Sequence, residues 1–292
     1  MRYNLLAPIA ISITAVAAPL AAAPFQSDRL TVTVEGQGPD VILVPGLTSN
    51  PRIWKETIAA LPGYRYHLVH VAGFSGKPAG ANAQGPVAAP VAEEIARYIA
   101  EAKLKKPAIV GHSMGGTIAM MIAARHPQTV GKLMVVDMVP FMGTMFTPPG
   151  ADAATVKATA DATRERMLKA TPEESANSMA AMIGGMVKTD AVRPALIADA
   201  TSSDRTTVAN SFHELIVTDL RPELAKIAVP TTVLYVRPPT VPLTNEQMDG
   251  LYKLAFANAK GAVLTRIPDA HHFIMYDAPE RFRDELKTFL AD

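Results

Sequence analysis

Pro107-Ala108-Ile109-Val110-Gly111-His112-Ser113-Met114-Gly115-Gly116-Thr117-Ile118 is the stretch on which the reading of this chain turns. Four residues from Pro107 to Val110 read as a short buried strand, and Met114 to His126 as a helix. Between them Gly111, Ser113 and Gly115 fit G-x-S-x-G, in which a sharp strand-to-helix turn lifts the serine above the sheet edge. The glycines let neighbouring backbone approach a strained turn. Ser113 also stands at a helix N-terminus, whose unpaired N–H groups favour an anion forming beside it. A serine placed this way is a candidate nucleophile.

Working outward, strand and helix alternate on both sides of this turn. Thr31 to Val34 alternates with strand period, Gly36-Gln37-Gly38-Pro39 turns the chain, and Val41 to Val44 is apolar, which predicts a hairpin entering a buried strand. Trp54 to Leu61 reads as a helix, His67 to Val71 as a strand, Val91 to Leu104 as an amphipathic helix and Leu133 to Val136 as a strand. After Asp137 the alternation stops. Residues 139–228 show helices and loops only, among them a capping box at Thr171-Pro172-Glu173-Glu174 and a helix near Asp204 to Thr218. Met179, Met182 and Met186 share a helical face there. They are read first as core filling, and alternatively as an adaptable apolar wall for a substrate. Alternation resumes with a strand over Thr231 to Val236, a helix over Asn245 to Ala257, a strand over Ala262 to Ile267 and a helix over Arg281 to Leu290. The expected architecture is an α/β body of residues 23–138 and 229–292, a mostly parallel sheet with helices on both faces, interrupted by a helical insertion over 139–228.

The first residues are a separate segment. Arg2, an apolar run from Leu5 to about Ala18 and the small residues Ala21-Ala22-Ala23 have the layout of a secretory leader, with Ala22 as its last residue. The run is short for a membrane span, so export to the periplasm or the medium is expected, with no stable membrane insertion after leader removal. The chain has 28 Lys+Arg and 27 Asp+Glu; losing Arg2 leaves 27 − 27 = 0. That balance argues against nucleic acid as a partner. Zero cysteine removes disulfides, thiolate metal sites and cysteine nucleophiles together.

From about Leu30 to Leu290 the chain resembles the α/β-hydrolase superfamily, particularly its lid-bearing bacterial serine esterases. Besides the serine turn, Val44-Pro45-Gly46-Leu47 stands where the family has His-Gly-x, Phe74-Ser75-Gly76-Lys77-Pro78 where Gly-Phe-Gly-x-Ser is common, and Ala270-His271-His272-Phe273 where it has Gly-His-Phe. The resemblance implies that His272 is the base for Ser113, with His271 replacing the usual glycine. It also implies an oxyanion hole from the backbone N–H groups of Leu47 and Met114. The acid departs from the family pattern. Its usual loop is Arg237-Pro238-Pro239-Thr240-Val241-Pro242, and no carboxylate occurs between Glu223 and Glu246. Some superfamily members place the acid after the strand preceding the lid, which here is Asp137; Asp249 and Glu246 are second choices, and Asp269 is close in sequence to His272.

The implied activity is hydrolysis of small to medium carboxylic esters through an acyl-enzyme, on a small-molecule substrate and without metal or organic cofactor. A serine at the turn excludes the Asp-nucleophile dehalogenase and epoxide-hydrolase chemistries of the superfamily. Two alternatives stand beside it: a carbon–carbon bond hydrolase using the same triad, and a non-catalytic binding protein that lost its acid.

Overall fold

The structure is a computed structural model that describes residues 25–291. The leader expected over residues 1–22 lies outside the described residues. In chain order the elements are β1 (Leu30–Gly36), β2 (Asp40–Val44), α1 (Lys55–Ala60), β3 (Arg65–Val71), α2 (Ala88–Glu101), β4 (Ala108–His112), α3 (Met114–Arg125) and β5 (Lys132–Val136). There follow α4 (Ala153–Lys169), α5 (Pro172–Met186), α6 (Arg193–Thr201) and α7 (Arg205–Val217). The chain closes with β6 (Thr231–Tyr235), α8 (Asn245–Ala255), β7 (Val263–Arg266), α9 (Ile274–Asp277) and α10 (Pro279–Ala291).

The strands form one sheet in the order β1-β3-β2-β4-β5-β6-β7, parallel throughout except for β1 against β3. The expected hairpin between β1 and β2 does not form, because β3 lies between them. The reason is visible in burial. Val41 to Val44 are all buried and need partners and cover on both sides, whereas β1 is largely exposed beyond Leu30 and closes the edge. The apolar run therefore takes an interior place, and the alternating one takes the rim.

Successive residues of the central strands feed opposite faces. Ile42, Val44, Ile109, Leu133, Val135 and Val233 pack with α2, α3 and α8 on one side. Val41, Leu43, Val110, Met134, Val136 and Leu234 pack with Trp54 and with Phe282, Leu286 and Phe289 of α10 on the other. Burying each such side chain is worth about 1.5–3 kcal/mol, so the two layers fix register as well as stability. All parallel strands end at one edge of this sheet, and the serine turn lies there. Between β5 and β6 the described residues hold α4 to α7 and no strand.

Candidate active site

Ser113 has φ 54° and ψ −124°, a strained conformation for a residue with a side chain. Its surroundings leave little alternative. A Cβ on Gly111 would lie 2.1 Å from the Gly115 carbonyl oxygen, and one on Gly115 would lie 2.2 Å from that of Val44. Only glycine fits either place, and the turn closes tightly enough for α3 to start at once. Ser113 N–H donates to Val136 O at 2.9 Å, tying the turn to the end of β5. As the first residue of α3, Met114 has an N–H with no acceptor inside the helix. Leu47 lies in the loop after β2, where Ser49 N–H donates to Gly46 O at 3.1 Å.

One residue past β5, Asp137 is held in place by its own N–H, which donates to Leu234 O at 2.7 Å. Its side chain is buried. Oδ2 accepts from His272 Nδ1 at 2.6 Å, while Oδ1 accepts from Val236 N–H at 3.1 Å and from the Tyr252 hydroxyl at 3.3 Å. Since a carboxylate oxygen accepts, the hydrogen in this bond sits on His272 Nδ1. The Asp137 carboxylate, just past β5, thus reaches across to the end of β6, beside the Pro-rich loop that has no carboxylate. The other candidates point elsewhere: Asp249 accepts from the Tyr235 hydroxyl and from Arg266 Nε, each at 2.8 Å, and Glu246 lies in the exposed first turn of α8.

His112 precedes the serine and reads from sequence as ordinary packing. In the structure it is fully buried, its Nε2–H donates to the backbone oxygen of His272 at 2.9 Å, and the two rings are 4.6 Å apart. Burial, and secondarily the neighbouring His272, push its imidazole well below the usual histidine range, so it stays neutral. His112 therefore joins the serine turn to the loop that carries His272. No sequence signal marks this role. Ser113 Oγ and His272 Nε2 form no hydrogen bond with each other here; the two residues are linked through the His112 side chain, which bonds the His272 backbone oxygen, and through Asp137, whose carboxylate bonds His272 Nδ1 next to the Val136 oxygen that accepts from Ser113 N–H. The His272 loop has a second anchor: Asp277 accepts from His271 N–H at 3.0 Å and from Thr189 N–H at 2.8 Å, and Phe273 N–H donates to Met186 O at 3.2 Å.

Beside this edge the helical insertion encloses a cavity of about 570 Å³, which Leu47 helps to line. Met179, Met182, Val208 and Phe212 form part of its wall. Met179 also packs against the core, and Met186 only there, so the methionine row divides between the two readings. Among the described residues no three His, Cys, Asp or Glu side chains stand together to hold a metal ion, and no helix is long and apolar enough to cross a membrane.

A parallel sheet with a serine on a strained turn and an Asp–His pair at the same strand ends defines an α/β hydrolase. Residues 41–285 match the alpha/beta hydrolase family, and the chain belongs to it. Over 115 residues it is 37% identical to a pimeloyl-(acyl-carrier protein) methyl ester esterase of Vibrio atlanticus. That match covers 39% of this chain and 42% of the relative, so about two fifths of the relative's length is spanned. Among solved structures, an esterase from Exiguobacterium antarcticum superposes with a TM-score of 0.74 at 22% identity, covering 90% of this chain and 96% of that one. A hydrolase from Pseudomonas aeruginosa gives 0.73 at 20% identity, covering 90% and 94%. At these identities the structures speak for the fold.

Proposed function

We propose that this chain is a serine hydrolase of carboxylic esters, small to medium in size, acting through an acyl-enzyme. Ser113 attacks the ester carbonyl while His272 Nε2 takes its proton. The Leu47 and Met114 N–H groups hold the oxyanion, one such donor being worth about 3 kcal/mol. His272 then returns the proton to the leaving alcohol, and water resolves the acyl-enzyme by the same route. Asp137 keeps the proton on Nδ1 and stabilises the imidazolium. The observation that carries this reading is the Asp137–His272 hydrogen bond of 2.6 Å at the strand edge that bears Ser113. The esterase name of the Vibrio relative supports it. Hydrolysis of 4-nitrophenyl acetate and butyrate by the wild type and by Ser113→Ala tests it. The variant is expected to fall to background, and equal rates for both proteins would remove the serine from the mechanism.

Export is proposed with it, on the leader-like layout from Arg2 to Ala23. The test is fractionation of a bacterial host, with the exported protein expected to begin near Ala23 by mass.

A further inference from the structure

The cavity under the insertion is mostly apolar, yet two charged side chains line it, and both are arginines. Arg166 lies in the last turn of α4, and Arg205 opens α7. They are neighbours through Ala170: its N–H donates to Arg166 O, and the Arg205 guanidinium donates to its carbonyl oxygen. Neither takes part in an ion pair among the described residues. Nor does the insertion's overall charge explain them. Residues 139–228 hold 9 Lys+Arg against 11 Asp+Glu, a net of −2, and no acid lines the cavity. The acids nearest in sequence are engaged: Glu165 pairs with Lys169, Asp204 caps Thr207, and Glu174 closes the capping box with Thr171.

We infer that Arg166 and Arg205 form a subsite for a carboxylate at the far end of the acyl chain, so that the preferred substrate is a half-ester of a dicarboxylic acid. This rests on the ester-hydrolase reading above and names the substrate class of the same site. Leu47, proposed as an oxyanion donor, lines the same cavity as Arg166 of α4 and Arg205 of α7. Met167, Met179, Val208 and Phe212 line it as well and provide an apolar wall suited to a methylene chain. A guanidinium offers paired donors matching a carboxylate, and Arg205 keeps donors beyond the one given to Ala170. Without the arginines, a carboxylate in this apolar cavity would be rejected, since a desolvated charge needs a partner.

The test compares mono-4-nitrophenyl adipate with 4-nitrophenyl hexanoate, esters of equal acyl length that differ in the terminal carboxylate. In the wild type the charged ester is expected to have the higher kcat/KM. In Arg166→Gln/Arg205→Gln the charged-to-neutral ratio should fall by about tenfold or more, mainly through KM, as for loss of hydrogen bonds to a charged group. The wild-type ratio should also fall with added salt. A role of Arg205 confined to capping α4 would change both esters alike and leave the ratio where it was. A wild-type preference for the hexanoate, or a ratio indifferent to the double substitution, overturns the subsite. Calorimetry on Ser113→Ala with monomethyl adipate and methyl hexanoate separates this from failure of the catalytic reading. Tighter binding of the charged ester, lost on adding the two arginine substitutions, supports the subsite even if neither chromogenic ester is cleaved; equal binding removes it.

Discussion

Asp137 has φ 51°, a backbone conformation that side chains other than glycine, asparagine and aspartate seldom adopt. What holds it there is also what aims its carboxylate, since Val236 N–H and the Tyr252 hydroxyl fix Oδ1 and leave Oδ2 to His272. Asp137→Asn is expected to lower kcat by about 10³–10⁴, because the amide favours the wrong imidazole tautomer. Asp249→Asn, on a residue turned toward Tyr235 and Arg266, is expected to stay within about threefold, as for other substitutions away from the chemistry. Steady-state kinetics on the same ester ranks the two, and the opposite order would move the acid to α8. Tyr252→Phe keeps the ring stacked on Tyr235 at 4.0 Å and removes only the hydroxyl. It should reduce kcat by about three- to tenfold with KM little changed, the worth of one ordinary hydrogen bond; a change confined to KM would argue against positioning. Asp137 was legible as a residue ending a strand before an insertion. Tyr252 was not, because a tyrosine on an amphipathic helix reads as packing until the helix is placed against β5 and β6.

The insertion is fastened to the body through helix ends. Glu214 of α7 is buried and accepts from the N–H groups of Val87 and Ala88, each at 2.6 Å, and of Ala89 at 2.8 Å, so a carboxylate from the insertion caps α2 of the body. Asp199 of α6 is bonded by Arg52 and by the Ser75 hydroxyl, the latter at 2.6 Å, and steadies Ser75 at φ 48°. Glu214→Gln exchanges one accepting oxygen for an amide facing N–H donors. It is expected to destabilise the protein by about 1.5–3 kcal/mol, the scale of a hydrogen bond to a charged group. Urea unfolding followed by tryptophan fluorescence checks this, and a midpoint equal to the wild type would show that water caps α2 equally well. These links explain which elements the sequence disclosed. Helical periodicity and the Thr171 capping box are local, and the structure reproduces both. The order of β1, β3 and β2 depends on which strand needs cover on two faces, a property of the assembled sheet. The single turn α9 is four residues long, too short to show a period, yet its Asp277 anchors the His272 loop.

Across the whole molecule, burial against the sheet disfavours the charged form of three histidines. His112 is enclosed at the site. His67 lies between Tyr98, 2.6 Å from Nδ1, and Asp40, 2.8 Å from Nε2; His70 Nε2–H donates to Phe74 O at 3.1 Å. Burial is the largest influence on each and lowers all three, against the opposing pull of Asp40 on His67 and with Lys77 and Arg52 adding to the lowering of His70. A histidine whose folded pKa is depressed binds fewer protons folded than unfolded. Stability is therefore complete above the unfolded value of about 6.5 and is lost as pH falls below it. Carboxylates held low, such as Asp40 and Glu94, lose their contribution only at more acid pH, so the two effects separate. Urea midpoints measured from pH 7.5 to 5.0 should be level down to about 6.5 and then decline, with a limiting slope of about 1.4 kcal/mol per pH unit for each proton excluded from the native state. His70→Gln keeps a donor toward Phe74 and should make the decline shallower without altering the level at pH 7.5 by more than about 0.5–1.5 kcal/mol. A wild-type midpoint that stays level to pH 5.0 would mean that these imidazoles titrate in the fold as they do in water, and that the sheet encloses them less tightly than its geometry implies.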